Sequence, residues 1–313
     1  VNSDHFDGRR YFNPNGANGQ SLGAVPRMLT TPRERWPKSV PVERRAPPSP
    51  THAGAVIVTF IGHSTFLIQT REHNFLTDPI WSERASPVSF AGPRRVREPA
   101  VVFEDLPDIS AVLLSHNHYD HCDLPTLKAL ESRFHPLVVT PLGNRPLLES
   151  AGMRRVLELD WWQKSTLASV TLTPAQHFAS RHPFDRNRAL WGGFFIEASG
   201  ARVLFAGDSG YGPHFKEIGT RLGPIDLALI PIGAYEPRWF MKDIHMNPAE
   251  AVEAHLDIVA RRSIAMHFGT FQLTPEGIDA PVIALGEALR ARGVAPEQFR
   301  APEFGESVWV SGA

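Results

Sequence analysis

Short apolar runs recur along the chain from residue 55 onward, each bounded by Gly, Pro or Asp. Val56–Gln69, Ala111–Leu114, Leu137–Thr140, Val170–Thr173, Gly193–Ala198, Arg202–Ala206, Leu227–Ile230, Ser263–Met266 and Ser307–Val310 are rich in β-branched and aromatic residues. That pattern predicts strands. Helical spacing falls between them. Leu124, Leu127 and Leu130 predict a helix over Leu124–Arg133 with Asp123 as its cap. Asn247, Pro248 and Glu250 form a helix start of cap, first-turn proline and acid at the third position, followed by Val252, Leu256 and Val259 at i, i+4 and i+7. A last helix over Pro281–Ala291 carries Val282, Leu285 and Leu289 and stops at Gly293. Strands preceding the candidate ligands, with helices between, predict an α/β domain whose site lies at strand ends.

Residues 1–53 break this pattern. They are rich in Pro, Arg, Asn and Gly, and eight basic against four acidic residues give them a net charge of +4. They read as an irregular arm lying on a domain that spans residues 54–313, with a basic contact to acidic lipid headgroups as the functional alternative. Composition narrows the chemistry. The 313 residues carry a net charge of −1, so the chain as a whole does not read as a nucleic-acid binder. A single cysteine, Cys122, excludes an intrachain disulfide and a Cys-rich zinc module, and it reads as a buried neighbour rather than a nucleophile. No apolar run reaches the length of a transmembrane helix, and no signal peptide is visible. The chain begins at Val1, which leaves a leader or anchor open, and compartment and oligomeric state stay open too, a homodimer included.

The string Ser115-His116-Asn117-His118-Tyr119-Asp120-His121 follows the apolar Ala111–Leu114 run. Burying so many imidazoles and carboxylates at a strand end is costly without a cation. His116 and His118, two apart, face one side of an extended chain, and a turn carries Asp120 and His121 to the other, so one loop can serve two metals. A catalytic zinc takes about three protein ligands plus water, so further donors come from afar. His177, Asp208 and His267 each sit directly after a predicted strand, 61, 31 and 59 residues apart counting from His116. His63 also follows a strand, and packing and approach to the site both remain open for it. His255 lies on the apolar side of its helix and reads as packing.

With its H-x-H-x-D-H string, the chain resembles the metallo-β-lactamase superfamily, and within it the N-acyl-phosphatidylethanolamine-hydrolysing phospholipase D family and its bacterial homologues. The resemblance rests on Leu76-Thr77-Asp78-Pro79, Ser82–Pro87, Ser115–His121, Pro174–His177, Phe205–Asp208 and the long, unusual run Pro231–Lys242, and covers roughly residues 55–310. It implies an αββα sandwich of two pseudo-symmetric halves, with two mixed β-sheets flanked by helices. It implies one zinc on His116, His118 and His177, a second on Asp120, His121 and His267, and Asp208 bridging them, with Asp78 orienting a ligand histidine. Asp120, Asp208 and His245 are then the catalytic residues, and His245 and Tyr235 the substrate contacts. Ile244 stands before His245 where the mammalian form of the family has glutamine, a departure that bears on the phosphate contacts.

The implied activity is phospholipase D-type hydrolysis of an N-acyl phosphatidylethanolamine or related phospholipid by a metal-bridged hydroxide, with peripheral membrane contact. The alternative is a lactonase or a soluble phosphodiesterase. Imidazole-rich ligation favours two zinc ions and leaves room for iron or manganese in one position. Trp81, Phe90, Trp161, Trp162, Trp191, Trp239 and Phe240 are candidates to line a lipid groove, against the ordinary alternative of core packing.

Overall fold

The computed structural model describes residues 3–49, 56–165, 167, 169–182 and 184–312; the expected boundary between residues 53 and 54 lies outside them. Thirteen strands form two sheets. The first sheet has the order β13-β1-β2-β3-β4-β5-β6, with β1 Val56–Gly62, β2 Thr65–Gln69, β3 Asn74–Thr77, β4 Ala111–Leu113, β5 Leu137–Pro141, β6 Val156–Leu159 and β13 Ser307–Val310. The second has the order β12-β11-β10-β9-β8-β7, with β7 Val170–Thr173, β8 Gly193–Ala198, β9 Ala201–Phe205, β10 Ile225–Pro231, β11 Ala260–Met266 and β12 Phe299–Arg300.

The two halves repeat one pairing scheme. In each, the first strand pairs antiparallel with the second and the second with the third, and the third to sixth run parallel. Strand β13 then crosses to the edge of the first sheet beside β1.

Side-chain alternation places the core. On β2 and β4, Phe66, Ile68, Ala111 and Leu113 join Phe194, Phe205 and Leu229 of the other sheet in one cluster. The intervening Leu67 and Val112 pack outward with Leu127, Leu130 and Leu148. Those last three belong to α2 Leu124–Phe134 and α3 Arg145–Ser150, which cover the first sheet. Phe215, Ile218, Ala251, Leu285 and Leu289 cover the second from α4 His214–Leu222, α6 Pro248–Asp257 and α7 Ala280–Arg292. The result is the αββα sandwich. Strands buried on both faces, such as β1 and β10, carry the continuous apolar runs expected of them.

Several local expectations change. The Val56–Gln69 run is a hairpin rather than one strand, because His63 takes φ 55° at its tip. Asp123 occupies the cap position of α2, but its carboxylate accepts from Ser82 and from the Thr126 hydroxyl instead of a helix N–H. Asn247 does cap α6, in a reciprocal box with Glu250. That helix buries Val252, as expected, together with Ala251, Ala254 and His255, and leaves Leu256 and, just past its end, Val259 exposed, so the packed stripe is rotated from the one read off the sequence. On α7, Leu285 and Leu289 are buried and Val282 is not. The arm residues 3–49 include α1 Val25–Leu29, and Asn13 reaches the domain by donating to the His177 carbonyl at 2.9 Å. Among the described residues no helix is long and apolar enough to cross a membrane.

Candidate metal centre

The donors meet at the strand ends shared by both sheets. Strand β4 delivers Ser115–His121, and backbone bonds from His121 N and Cys122 N to the His118 carbonyl close the turn that separates His116 and His118 from Asp120 and His121. Strands β7, β9 and β11 deliver His177, Asp208 and His267. Gly233, after β10, has no substitute, because a Cβ there would overlap the His267 carbonyl oxygen.

Two sets of donor atoms result. His116 Nε2 lies 2.9 Å and His177 Nε2 3.2 Å from His118 Nδ1. On the other side, His121 Nε2 and His267 Nε2 each lie 3.3 Å from Asp120 Oδ2 and 3.0 Å from Asp208 Oδ2. Asp208 also groups with His177 and His245, so its carboxylate stands between the two sets. Donors about 2.0–2.2 Å from a tetrahedral ion stand about 3.3–3.5 Å from one another, close to these spacings. His121 Nε2 and Asp208 Oδ1 are buried with no hydrogen-bond partner among the described residues. Orphaned polar atoms at such spacings fit cations.

Protonation fits as well. Burial and the neighbouring imidazoles hold His118 near pKa 3 and His116 well below the ordinary histidine value; burial holds His177 near 4. Each is therefore neutral, the form in which imidazole binds a metal. Burial alone pushes Asp208 and Asp120 up, yet His121 and its neighbours hold both well below the usual carboxylate range. Burial lowers His121 and His267, but Asp208 and Asp120 raise both, His267 to about 9. That affinity for protons marks the concentrated negative charge a divalent cation would meet.

The far ring nitrogens are fixed. His121 Nδ1 lies 2.7 Å from Asp78 Oδ2, His116 Nδ1 2.8 Å from Ser115 Oγ, and His177 Nδ1 2.8 Å from the Ile244 carbonyl. Asp78 also accepts from Ser115 N at 2.7 Å and Ser115 Oγ at 2.5 Å, so Ser115 touches both the His116 imidazole and the carboxylate that holds His121. Burial pushes Asp78 up, and these three donors oppose it.

The chain matches the family model described as the beta-lactamase superfamily domain over residues 73–268. It is 41% identical over 252 residues to a Caenorhabditis elegans protein named N-acyl-phosphatidylethanolamine-hydrolyzing phospholipase D 1, with 76% of this chain and 70% of that one covered. It belongs to the metallo-β-lactamase superfamily. A Saccharomyces cerevisiae mitochondrial protein of the same name is 33% identical, and the match covers 80% of this chain but only 55% of the yeast protein. An isothiocyanate hydrolase structure from Delia radicum gut bacteria shares the fold, with a TM-score of 0.67 at 20% identity over 82% of this chain and all of that one (100%). With relatives named as hydrolases and this fold, the chain is a metal-dependent hydrolase, and its His/Asp clusters imply a divalent metal.

His245 is buried beside the cluster, its Nε2 4.0 Å from Asp208 Oδ2 and its Nδ1 without a partner among the described residues. Arg238 holds it by donating to its carbonyl at 2.9 Å while pairing with Glu250 at 2.7 Å. Tyr235 offers no described contact from its hydroxyl to the cluster, and its backbone N–H donates to Glu276 at 3.2 Å. Trp191 is core, and Trp81 packs against Phe103, so neither lines a groove. Trp161 stacks on His5 of the arm, and the Arg221 guanidinium lies over Trp162. Phe240 does stand near the centre, packed with Phe178 against Ala234, Met241 and Ile244; Phe178 meets the His118 ring at 4.4 Å. Cys122 is buried, and burial pushes its thiol to about 12. His255 is buried, bonded to Ser263 and stacked on Phe299. Arg181 carries no signal in the sequence, yet it donates to the carbonyls of both Asn117 and Cys122 at 2.9 Å.

Proposed function

We propose that this hydrolase cleaves the phosphodiester of an N-acyl phosphatidylethanolamine or a related phospholipid, releasing phosphatidic acid and an N-acylethanolamine. The observation that carries this reading is the meeting of two donor sets at Asp208, with the apolar cluster of Phe178, Phe240, Met241 and Ile244 reaching them through Phe178, whose ring lies 4.4 Å from that of His118. A polar centre for a phosphate and an adjoining apolar surface for acyl chains are what a phospholipid headgroup reaction requires. The likeness to the nematode phospholipase D supports the substrate class.

In this reading His116, His118 and His177 hold one cation, Asp120, His121 and His267 the other, and Asp208 faces both. The imidazole-rich donors favour zinc, with iron or manganese the alternative at one position. When bound, such a pair supplies an acidified water and a sink for charge developing on the phosphoryl group. Asp208 sets the spacing of the two positions. Asp78 and Ser115 keep the imidazoles of His121 and His116 aimed. His245, kept neutral by burial, presents a ring nitrogen to a phosphoryl oxygen. The apolar cluster excludes bulk water from the polar centre.

Contact with a lipid surface belongs to the same reading. Phe90 and Phe184 are 80% and 78% exposed, on loops that leave β3 and β7 at the ends where the donors gather, and Arg84 and Arg94, the latter paired with Glu83, lie on the first of those loops. Exposed aromatics beside basic side chains suit an anionic bilayer surface.

The test is to incubate the zinc-loaded protein with N-acyl phosphatidylethanolamine in mixed micelles in ¹⁸O-water. Attack on phosphorus releases N-acylethanolamine and leaves the label in phosphatidic acid. Inertness toward the lipid, with good turnover of a lactone or a soluble phosphodiester, would transfer the assignment to those substrates.

A further inference from the structure

The structure repeats not only its strand pairing but also the placement of its polar residues. In the second half, the first strand, β7, leads to His177 and the third, β9, to Asp208. In the first half, β1 leads to His63 and β3 to Asp78. The second-half pair faces the donor centre directly. In the first half, Asp78 instead grips the far nitrogen of His121. His63 occupies the corresponding position at the other end of the same set.

His63 is 2% exposed and fixed on every side. Its N–H donates to Thr270 Oγ1 at 3.1 Å, and its carbonyl accepts from His267 N at 2.9 Å. Its ring lies 4.2 Å from that of His267 and meets Phe271 edge-on. It takes φ 55°, in the left-handed region, as does its neighbour His267 at 59°. A non-glycine residue there is strained and persists only where its surroundings enforce it. The conformation delivers His63 Nε2 to within 3.0 Å of Asp120 Oδ2, the oxygen that faces His121 and His267.

We infer that His63 is a positioning residue: its Nε2–H holds the Asp120 carboxylate in the orientation that serves the second cation. The alternative is that His63 is itself a donor to that cation, since its ring nitrogen groups with Asp120, His121 and His267. A metal-bound Nε2 leaves the proton on Nδ1, which is buried and has no acceptor among the described residues. A buried N–H without a partner is disfavoured, because it gives up its bond to water for nothing. With the proton on Nε2 the donor meets Asp120, and Nδ1 keeps only a lone pair. The inference rests on Asp120 as a cation donor, whatever the substrate turns out to be.

The experiment is a Zn²⁺ titration against a competing chelator for the full chain, His63→Ala, His63→Gln, Asp120→Ala and the double variant His63→Ala/Asp120→Ala. Losing an outer partner of a ligand weakens metal binding about 10–100-fold. His63→Ala should weaken one of two zinc equivalents by that factor and leave the other unchanged. His63→Gln, whose amide N–H can replace Nε2–H, should recover most of the loss, and His63→Ala should add nothing in the Asp120→Ala background. Ring ¹⁵N shifts of the unsubstituted protein should show His63 protonated at Nε2, a readout independent of how well the alanine variant folds. Unchanged zinc affinity in His63→Ala, an Nε2 without a proton, or a glutamine variant as impaired as the alanine one would overturn the role. Full zinc affinity in Asp120→Ala would overturn the donor assignment beneath it.

Discussion

The Arg181 guanidinium lies 4.0 Å from the centroid of the Tyr119 ring, and the Tyr119 hydroxyl donates back to the Arg181 carbonyl at 2.9 Å. With its bonds to the Asn117 and Cys122 carbonyls, Arg181 clasps the loop that carries His116, His118, Asp120 and His121 to the loop that follows His177. Asp185 fixes the clasp by accepting from the Arg181 and His182 N–H groups.

Removing this clasp should loosen both donor sets together. For Arg181→Ala we expect a stability loss of about 1.5–3 kcal/mol, the range for hydrogen bonds from a charged group. Arg181→Lys should recover only part of it, since lysine lacks the planar fork that reaches two carbonyls over a ring. Chemical denaturation of the three proteins checks this. Equal stability of the alanine and native chains would make Arg181 a surface residue without a structural role.

Asp78 acts at a distance of one residue from the cation. Asp78→Asn keeps the shape but offers His121 Nδ1 an oxygen without charge and must present an N–H toward Ser115. Zinc affinity should fall about 10–100-fold, with the helices and sheets intact by circular dichroism. Retention of native affinity would show that His121 needs no orientation from Asp78.

His255 gives stability a pH dependence far from the metal centre. Burial lowers its pKa, so the unfolded chain takes up a proton that the folded chain refuses. Its contribution is therefore whole above the unfolded value of about 6.5 and is lost progressively as pH falls below that toward the folded pKa. The stability advantage of the native chain over His255→Gln, measured by urea unfolding, should shrink between pH 8 and pH 5. A constant difference across that range would contradict the shift.

The α/β class and the clustering of donors are legible in the sequence for a physical reason, whereas the αββα sandwich is implied only by the family resemblance. Strands buried on both faces must be apolar throughout, and Ser115–His121 concentrates groups that only a cation or solvent can satisfy. His177, Asp208 and His267 are visible because each directly follows a strand-like run. What is not visible depends on three-dimensional neighbours. The register of α6 could not be told from Val252, Leu256 and Val259, because only Val252 is buried and alanines and a histidine complete its packed face. Strand β6 reads Val-Leu-Glu-Leu at a sheet edge, and its half-buried pattern carries little signal. Ser115, Arg181 and the carboxylate contact of His63 act through atoms 37 to 64 residues away in the chain, and nothing in the local sequence marks them.

Convergence of His116, His118, Asp120, His121, His177, Asp208 and His267 on a pair of cations is the claim on which the rest depends. Elemental analysis of gently purified protein, joined to anomalous diffraction at the metal edge, tests it most directly. The account predicts two metals per chain, one among His116, His118 and His177 and one among Asp120, His121 and His267, with Asp208 between them. Less than one metal per chain, or anomalous density away from these side chains, would contradict it.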